Sequence, residues 1–274
     1  MYKSKAKNKR SKYSVGDKAK ETLNSLSEDN PVLLMFREYG KTLDDKHDRY
    51  ERIVKLSRDI TIESKRIIFL LHNVNTDLDD KRLKVIEEAE QRLQTVIDTQ
   101  LKAVALELKD QDSYQYHKAY TAGLQEFIEA FAFCSYIKEE TVKNWKTMDG
   151  LFRYESEEKQ PVSLVFPHVD FILGLADFTG ELMRRSLNNL GMGNVEECFK
   201  LCNFVRHINT GFLGLMAPGY KELSRKAYVL RQSLTKMELV CYNIRIRGSE
   251  IPKHMLLSVI ESNDANENED EGFF

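Results

Sequence analysis

The sequence predicts an all-α fold, a long-helix bundle of about six or seven helices. Three observations lead there. Apolar residues recur at three-four spacing through most of the chain. No segment shows the period-two alternation of a half-buried strand. The five prolines, at 31, 161, 167, 218 and 252, leave long uninterrupted runs between them. A chain of 274 residues with 42% hydrophobic content is long enough to enclose a sizeable core. No internal repeat of fixed period is present.

The first helix opens at Asn30-Pro31, where asparagine suits an N-cap and proline the first helical position. Phe36, Tyr39, Leu43, Tyr50, Ile53, Val54, Ile60, Ile67, Ile68 and Leu71 follow at helical spacing, with Gly40 the one breaker before Asn73. That implies one helix of roughly 40 residues, about 60 Å long. A second spans about 78–108, with Leu83, Ile86, Leu93, Ile97, Val104 and Leu108 on its stripe. A third spans about 112–140. Residues 147–164 read as a polar connection with turn residues. A fourth helix runs from near Pro167 to about Leu190, ended by Gly191-Met192-Gly193, and a fifth from about Val195 to Leu215. The sixth runs from Pro218 to Arg247, where Gly248 suits a C-cap. A short last helix follows Pro252.

The net charge is −2, but it is unevenly spread. The first twenty residues carry Lys3, Lys5, Lys7, Lys9, Arg10, Lys12, Lys18 and Lys20 against Asp17 alone. Beyond position 260, Glu261, Asp264, Glu267, Glu269, Asp270 and Glu271 meet no basic residue. We therefore expect a disordered basic tail over 1–30, a helical domain over 31–256 and a disordered acidic tail over 257–274. The basic tail suits a nuclear-import signal or a nucleic-acid arm, or equally a solubilising tail. The start lacks the apolar stretch of a signal peptide, and no apolar run is long enough to span a membrane. Cys134, Cys198, Cys202 and Cys241 form no CxxC pair and lack histidines at ligand spacing, so they read as buried reduced thiols in a reducing compartment.

Chemistry is expected at two pairs of carboxylates set in apolar helices. Glu126 and Glu129 stand at i and i+3 in the third helix, Asp177 and Glu181 at i and i+4 in the fourth. A helix apolar all round is buried, and an ionised carboxylate is rarely buried without a partner. On the fourth helix Asp170, Gly174, Asp177, Glu181 and Arg184 fall on one strip, with Gly174 leaving room beside the acids. Packed together, the two helices would converge up to four carboxylates. All-oxygen ligands without histidine suit Mg²⁺ or Mn²⁺ rather than zinc or copper, and the Glu-x-x-His pairs of a di-iron bundle are missing. Such an ion binds phosphate oxygens and activates water against a phosphodiester or pyrophosphate. The other reading is that these acids sit in salt bridges to Arg184, Arg185 or other cations. Arg58 and Lys65, seven apart on the first helix, offer a phosphate-binding face, although Asp59 and Glu63 interleave as they would on any solvated face. The six histidines form no cluster, and no P-loop, dinucleotide fingerprint or Ser/His/Asp arrangement is visible.

Four runs carry a resemblance. They are Lys-His-Asp-Arg-Tyr-Glu-Arg-Ile-Val-Lys-Leu-Ser-Arg-Asp-Ile-Thr (46–61), Gly-Leu-Gln-Glu (123–126), Leu-Ala-Asp-Phe-Thr-Gly-Glu-Leu-Met-Arg (175–184) and Arg-Gly-Ser-Glu-Ile-Pro-Lys-His-Met-Leu (247–256). In this order they resemble the translin family over about 31–256, and within it the subunit that supplies catalytic acids. The resemblance implies an all-helical protein joined to translin in a hetero-oligomer, an octameric shell. It implies a Mg²⁺-dependent endoribonuclease for single-stranded RNA, acting in the nucleus and cytoplasm. The expected roles are clearing passenger-strand fragments from the RNA-interference silencing complex and processing tRNA. Carried over, the catalytic acids fall on Glu126, Glu129 and Asp177, with Glu181 a fourth metal ligand; Arg58, Lys65 and Arg184 are the RNA-binding candidates. Two other readings are a non-catalytic structural partner of translin and an all-α nucleotide pyrophosphatase. The 139–166 connection matches no motif of the family.

Overall fold

The computed structural model describes residues 30–74, 79–155, 160–215 and 221–247. The expected tails, the helix after Pro252, the start at Pro218 and the cap at Gly248 lie outside the described residues.

Helix α1 covers Pro31–His72. Asn30 caps it as expected, its side-chain oxygen accepting from the Val32 N–H at 3.0 Å. By its contacts the chain divides into two units, at Arg49 and Tyr50. In the first unit, residues 30–49 expose Val32, Leu34, Met35, Phe36, Tyr39 and Leu43. The expected stripe is thus on α1, but its first three members, Phe36, Tyr39 and Leu43, are not buried. In the second unit the stripe is core: Ile53, Ile60, Ile67 and Leu71 are fully buried.

The predicted second helix is present with an irregularity. Helix α2 (Asp79–Val96) passes through a π turn at Ile97–Leu101 into α3 (Lys102–Glu107). Ile97 and Leu101, at the two ends of this turn, are both buried. Leu83, placed on the stripe by spacing, is exposed.

Helix α4 (Ser113–Glu139) is capped by Asp112, which accepts from the Tyr114 N–H at 3.1 Å, and ends on a left-handed Glu140. It is the central helix: Tyr120, Leu124, Phe127, Ile128 and Phe133 are all at most 1% exposed. Truncating one of its aromatics, for instance Phe127→Ala, costs about 3–5 kcal/mol by the lost transfer energy and the void.

Helix α6 (His168–Gly191) packs along α4, and the two run in the same direction. Thr121 and Gln125 meet Asp170, Ile128 lies against Gly174, and Phe133 and Tyr136 meet Phe178. Parallel neighbours oblige the chain to travel back along the whole of α4, about 40 Å at 1.5 Å per residue. The connection read as merely polar does this and carries structure. Helix α5 (Trp145–Leu151) is capped by Asn144, and strands β1 (Arg153–Glu155) and β2 (Pro161–Ser163) pair antiparallel with Tyr154 opposite Val162. Phe152, Leu164 and Phe166 anchor the return in the core. Three-residue strands are too short for alternation to show in sequence.

Helices α7 (Val195–Leu213) and α8 (Lys221–Arg247) complete the described part, each packing on α6 and on each other. Leu173 and Ala176 share one apolar cluster with Phe212, Leu223 and Leu230, and Leu190 shares another with Cys198, Val240 and Ile244. The four cysteines are free, and burial pushes the Cys134 thiol up to about 12. No helix among the described residues is long and apolar enough to cross a membrane.

Candidate active site

Two glycines set how closely the site-bearing helices approach. A Cβ on Gly174 would lie 2.7 Å from Cβ and Cγ2 of Ile128 and 2.9 Å from the Gln125 carbonyl oxygen. A Cβ on Gly123 would lie 2.5 Å from the Ser57 carbonyl oxygen, and the Gly123 N–H donates to Ser57 Oγ at 3.1 Å. Only glycine permits both approaches. The first seats α6 on α4; the second seats α4 on α1. The room that Gly174 was expected to leave beside the acids is filled by α4.

With these helices so placed, Glu126 and Glu129 from α4 and Asp177 and Glu181 from α6 line one open cavity of about 580 Å³. All four are half-buried rather than enclosed. The α1 residues Lys65 and Phe69, Arg184 of α6, and Lys226 and Val229 of α8 also line it.

Three of the acids carry a counter-charge from the chain. Lys65 Nζ lies 3.1 Å from Glu126, and Lys226 donates to both oxygens of Asp177. Glu181 accepts from His72 Nε2 at 2.5 Å and has Arg184 at 3.7 Å. The fourth carries the strain of the set. Burial, and then the charges of Glu126, Asp177 and Glu181, push the Glu129 carboxyl up to about 8. Like charges this close disfavour ionisation of one member unless a cation is shared among them.

Asp170 belongs to a different structure. Its side chain is 2% exposed and accepts from Thr121 Oγ1 at 2.5 Å, Gln125 Nε2 at 2.9 Å and His117 Nε2 at 2.5 Å. Burial raises this carboxyl, but the three hydrogen bonds outweigh it and hold it below the usual carboxylate range. Asp170 shares the strip with Asp177 yet sits two turns away, about 10 Å along the axis, where it pins α6 to α4.

The structure therefore brings together Glu126, Glu129, Asp177, Glu181, Lys65 and Arg184, and leaves out Arg58, which is exposed on α1 and does not line the cavity. The salt-bridge reading also holds, through Lys65, Lys226 and Arg184. Arg185 instead is buried, with Glu197 among the charges acting on it. Among the described residues no three His, Cys, Asp or Glu side chains are placed to hold a metal ion. The donor set itself, four carboxylates repelling one another, matches a hard divalent cation. Two site residues escape the sequence reading. His72 had a signal: Lys65, Phe69 and His72 fall at i, i+4 and i+7 of α1, on one face. Lys226, on a helix 49 residues beyond its partner, had none.

A family model described as the Translin family matches residues 48–248. The chain is 42% identical over 246 residues to Translin-associated protein X of Mus musculus, covering 84% of each. Its fold is similar to the crystal structure of apo-NeC3PO, with a TM-score of 0.58 at 20% identity, over 77% of this chain and 96% of that one. It is similar also to a structure of AfC3PO in complex with duplex RNA, with a TM-score of 0.54 at 23% identity, over 74% and 93%.

Proposed function

The chain belongs to the translin family, and on that footing we propose that it is the catalytic subunit of a hetero-oligomer with translin, an endoribonuclease for single-stranded RNA. One observation carries this reading: four carboxylates from two parallel helices line a single open cavity, where burial and then their mutual repulsion raise Glu129. A protein similar in fold, AfC3PO, has a structure in complex with duplex RNA, which supports RNA as the class of ligand.

Glu126, Glu129 and Asp177, with Glu181, would hold Mg²⁺ or Mn²⁺, which supplies an activated water and offsets charge on the phosphate. The chain's own residues do the rest. Lys65 and Arg184 are 63% and 55% exposed in their side chains at the cavity and bind the phosphates on either side of the scissile bond. Lys226 neutralises Asp177. His72 fixes the rotamer of Glu181, donating from Nε2 in either of its charge states. In the cell the complex would be octameric, nuclear and cytoplasmic, clearing passenger-strand fragments from the silencing complex and processing tRNA.

The internal counter-charges favour a second reading, in which the acids only tie helices together and the chain is a structural partner of translin. One experiment separates the two. Glu126→Gln and Asp177→Asn variants are assembled with translin and given labelled single-stranded RNA, with and without chelator. The catalytic reading expects normal assembly and at least a hundredfold slower cleavage, with wild-type cleavage abolished by chelator. Cleavage at the wild-type rate by both assembled variants leaves the structural reading standing.

A further inference from the structure

At the cavity edge stands a residue that neither folding nor acid chemistry requires. Phe69 is 64% exposed, although it lies between the fully buried Ile67 and Leu71. Val229 of α8 lines the same cavity and is 50% exposed. Exposed apolar side chains are common on this chain, but these two line the cavity that holds the acids, where an entering ligand can meet them. Their surroundings say which ligand. Lys65 is one turn before Phe69 on α1, which puts the two Cβ atoms about 5–6 Å apart, close to the distance from a nucleobase to its own phosphate. Arg184 and the four carboxylates line the same cavity. An aromatic ring, two cations and the carboxylates around one cavity match the pattern by which single strands are held: phosphates on cations, bases on aromatic faces. A paired base, stacked inside a duplex, has no free face to offer Phe69.

We propose that Phe69, backed by Val229, is a base-stacking subsite that seats one unpaired nucleobase of the RNA and so sets the adjoining phosphodiester over the acids. This rests on the ribonuclease reading of the same cavity and adds to it the reason for selecting single strands. Every base has a stacking face, so the subsite selects unpaired over paired nucleotides rather than one base over another.

The test uses the complex with translin. A Glu126→Gln complex, which binds without cutting, is titrated with single-stranded RNA carrying one 2-aminopurine. Quenching of its fluorescence is expected and should be lost on adding Phe69→Ala. In the otherwise wild-type complex, Phe69→Ala is expected to raise KM about tenfold and lower kcat by less than that, with Phe69→Trp restoring KM and Phe69→Leu not. An abasic nucleotide at the cleavage position should weaken wild-type binding by a similar factor, and Phe69→Ala should then add no further loss. The proposal is overturned if Phe69→Ala impairs intact and abasic RNA equally. It is overturned too if Phe69→Leu restores full affinity, or if Phe69→Ala blocks assembly with translin, which would make the ring a protein contact. Wild-type cleavage by the Glu126→Gln complex would instead remove the ribonuclease reading itself, so the two failures are distinct.

Discussion

His72 Nε2 stands 2.5 Å from Oε2 of Glu181, joining the last turn of α1 to the fourth turn of α6 across 109 residues of sequence. The imidazole is 6% exposed, packs 4.8 Å from the Phe133 ring, and leaves its Nδ1 buried with no partner among the described residues. With one nitrogen committed to Glu181 and the other facing apolar surroundings, the ring has one useful orientation, and the carboxylate inherits it. Outer partners of this kind typically change metal affinity or activity by about 10–100-fold. His72→Leu is therefore expected to shift the Mg²⁺ concentration for half-maximal RNA cleavage upward by about tenfold, and His72→Gln, which keeps an N–H donor, to recover part of it. An unchanged Mg²⁺ titration would show that Glu181 needs no such hold.

Glu129 predicts a pH dependence of stability. Its folded value, about 8, lies above the ordinary value of 4.5 because of burial and then its acidic neighbours. The unfolded chain therefore releases this proton first. The sign follows: the contribution is intact below about pH 4.5 and is lost progressively as pH rises toward 8. In chelator, Glu129→Gln should melt several degrees above wild type at pH 8, with the gap closing toward pH 5. Calorimetry across that range checks it, and a constant gap would contradict it.

Asp170 predicts the opposite limb. Its carboxyl is held below the usual range, so its stabilisation is present above the ordinary value of 3.8 and is lost as pH falls through the lower folded value. Asp170→Ala strands the His117, Thr121 and Gln125 donors and should cost about 2–4 kcal/mol at pH 7. Asp170→Asn should flatten the acid limb of the unfolding profile. Cleavage by the folded fraction should survive either change if Asp170 serves packing and not the cavity.

Gly174 and Gly211 make a matched pair. A methyl on Gly174 collides with Ile128, while a methyl on Gly211 meets nothing within 4 Å. Gly174→Ala should destabilise by about 1–3 kcal/mol through overpacking. Gly211→Ala should stabilise by up to about 1 kcal/mol, since alanine loses less backbone freedom on entering a helix. Chemical denaturation of both variants decides it, and equal midpoints would mean that α6 can shift without penalty.

These relationships also mark how far the sequence could be read. The α1 stripe, the ends of α4 and α6, and the i, i+3 and i, i+4 acid pairs follow from helical periodicity, a local property. Whether Asp170 joins Asp177 depends on what faces each level of α6, and that is decided by α4, some 45 residues earlier. Lys226 reaches Asp177 only because α8 folds back along α6, which no pattern within α8 announces. The β1–β2 hairpin was missed for a related reason: its function, returning the chain along α4, becomes visible once α4 and α6 are known to be parallel. Exposure of Phe36, Tyr39 and Leu43 on an otherwise correct stripe shows that periodicity marks an apolar face without saying what covers it.

The helix that carries Glu126 and Glu129 is gripped on two sides at the level of the main chain, by Ser57 against Gly123 and by Gly174 against Ile128 and Gln125. Side chains relax by changing rotamer; main-chain contacts of this closeness part only when whole helices separate. Amides over residues 123–130 should accordingly exchange with deuterium at the rate of global opening, among the slowest in the molecule. The acids of the cavity thus ride on its most slowly opening segment, and the geometry of the site persists for as long as the protein remains folded.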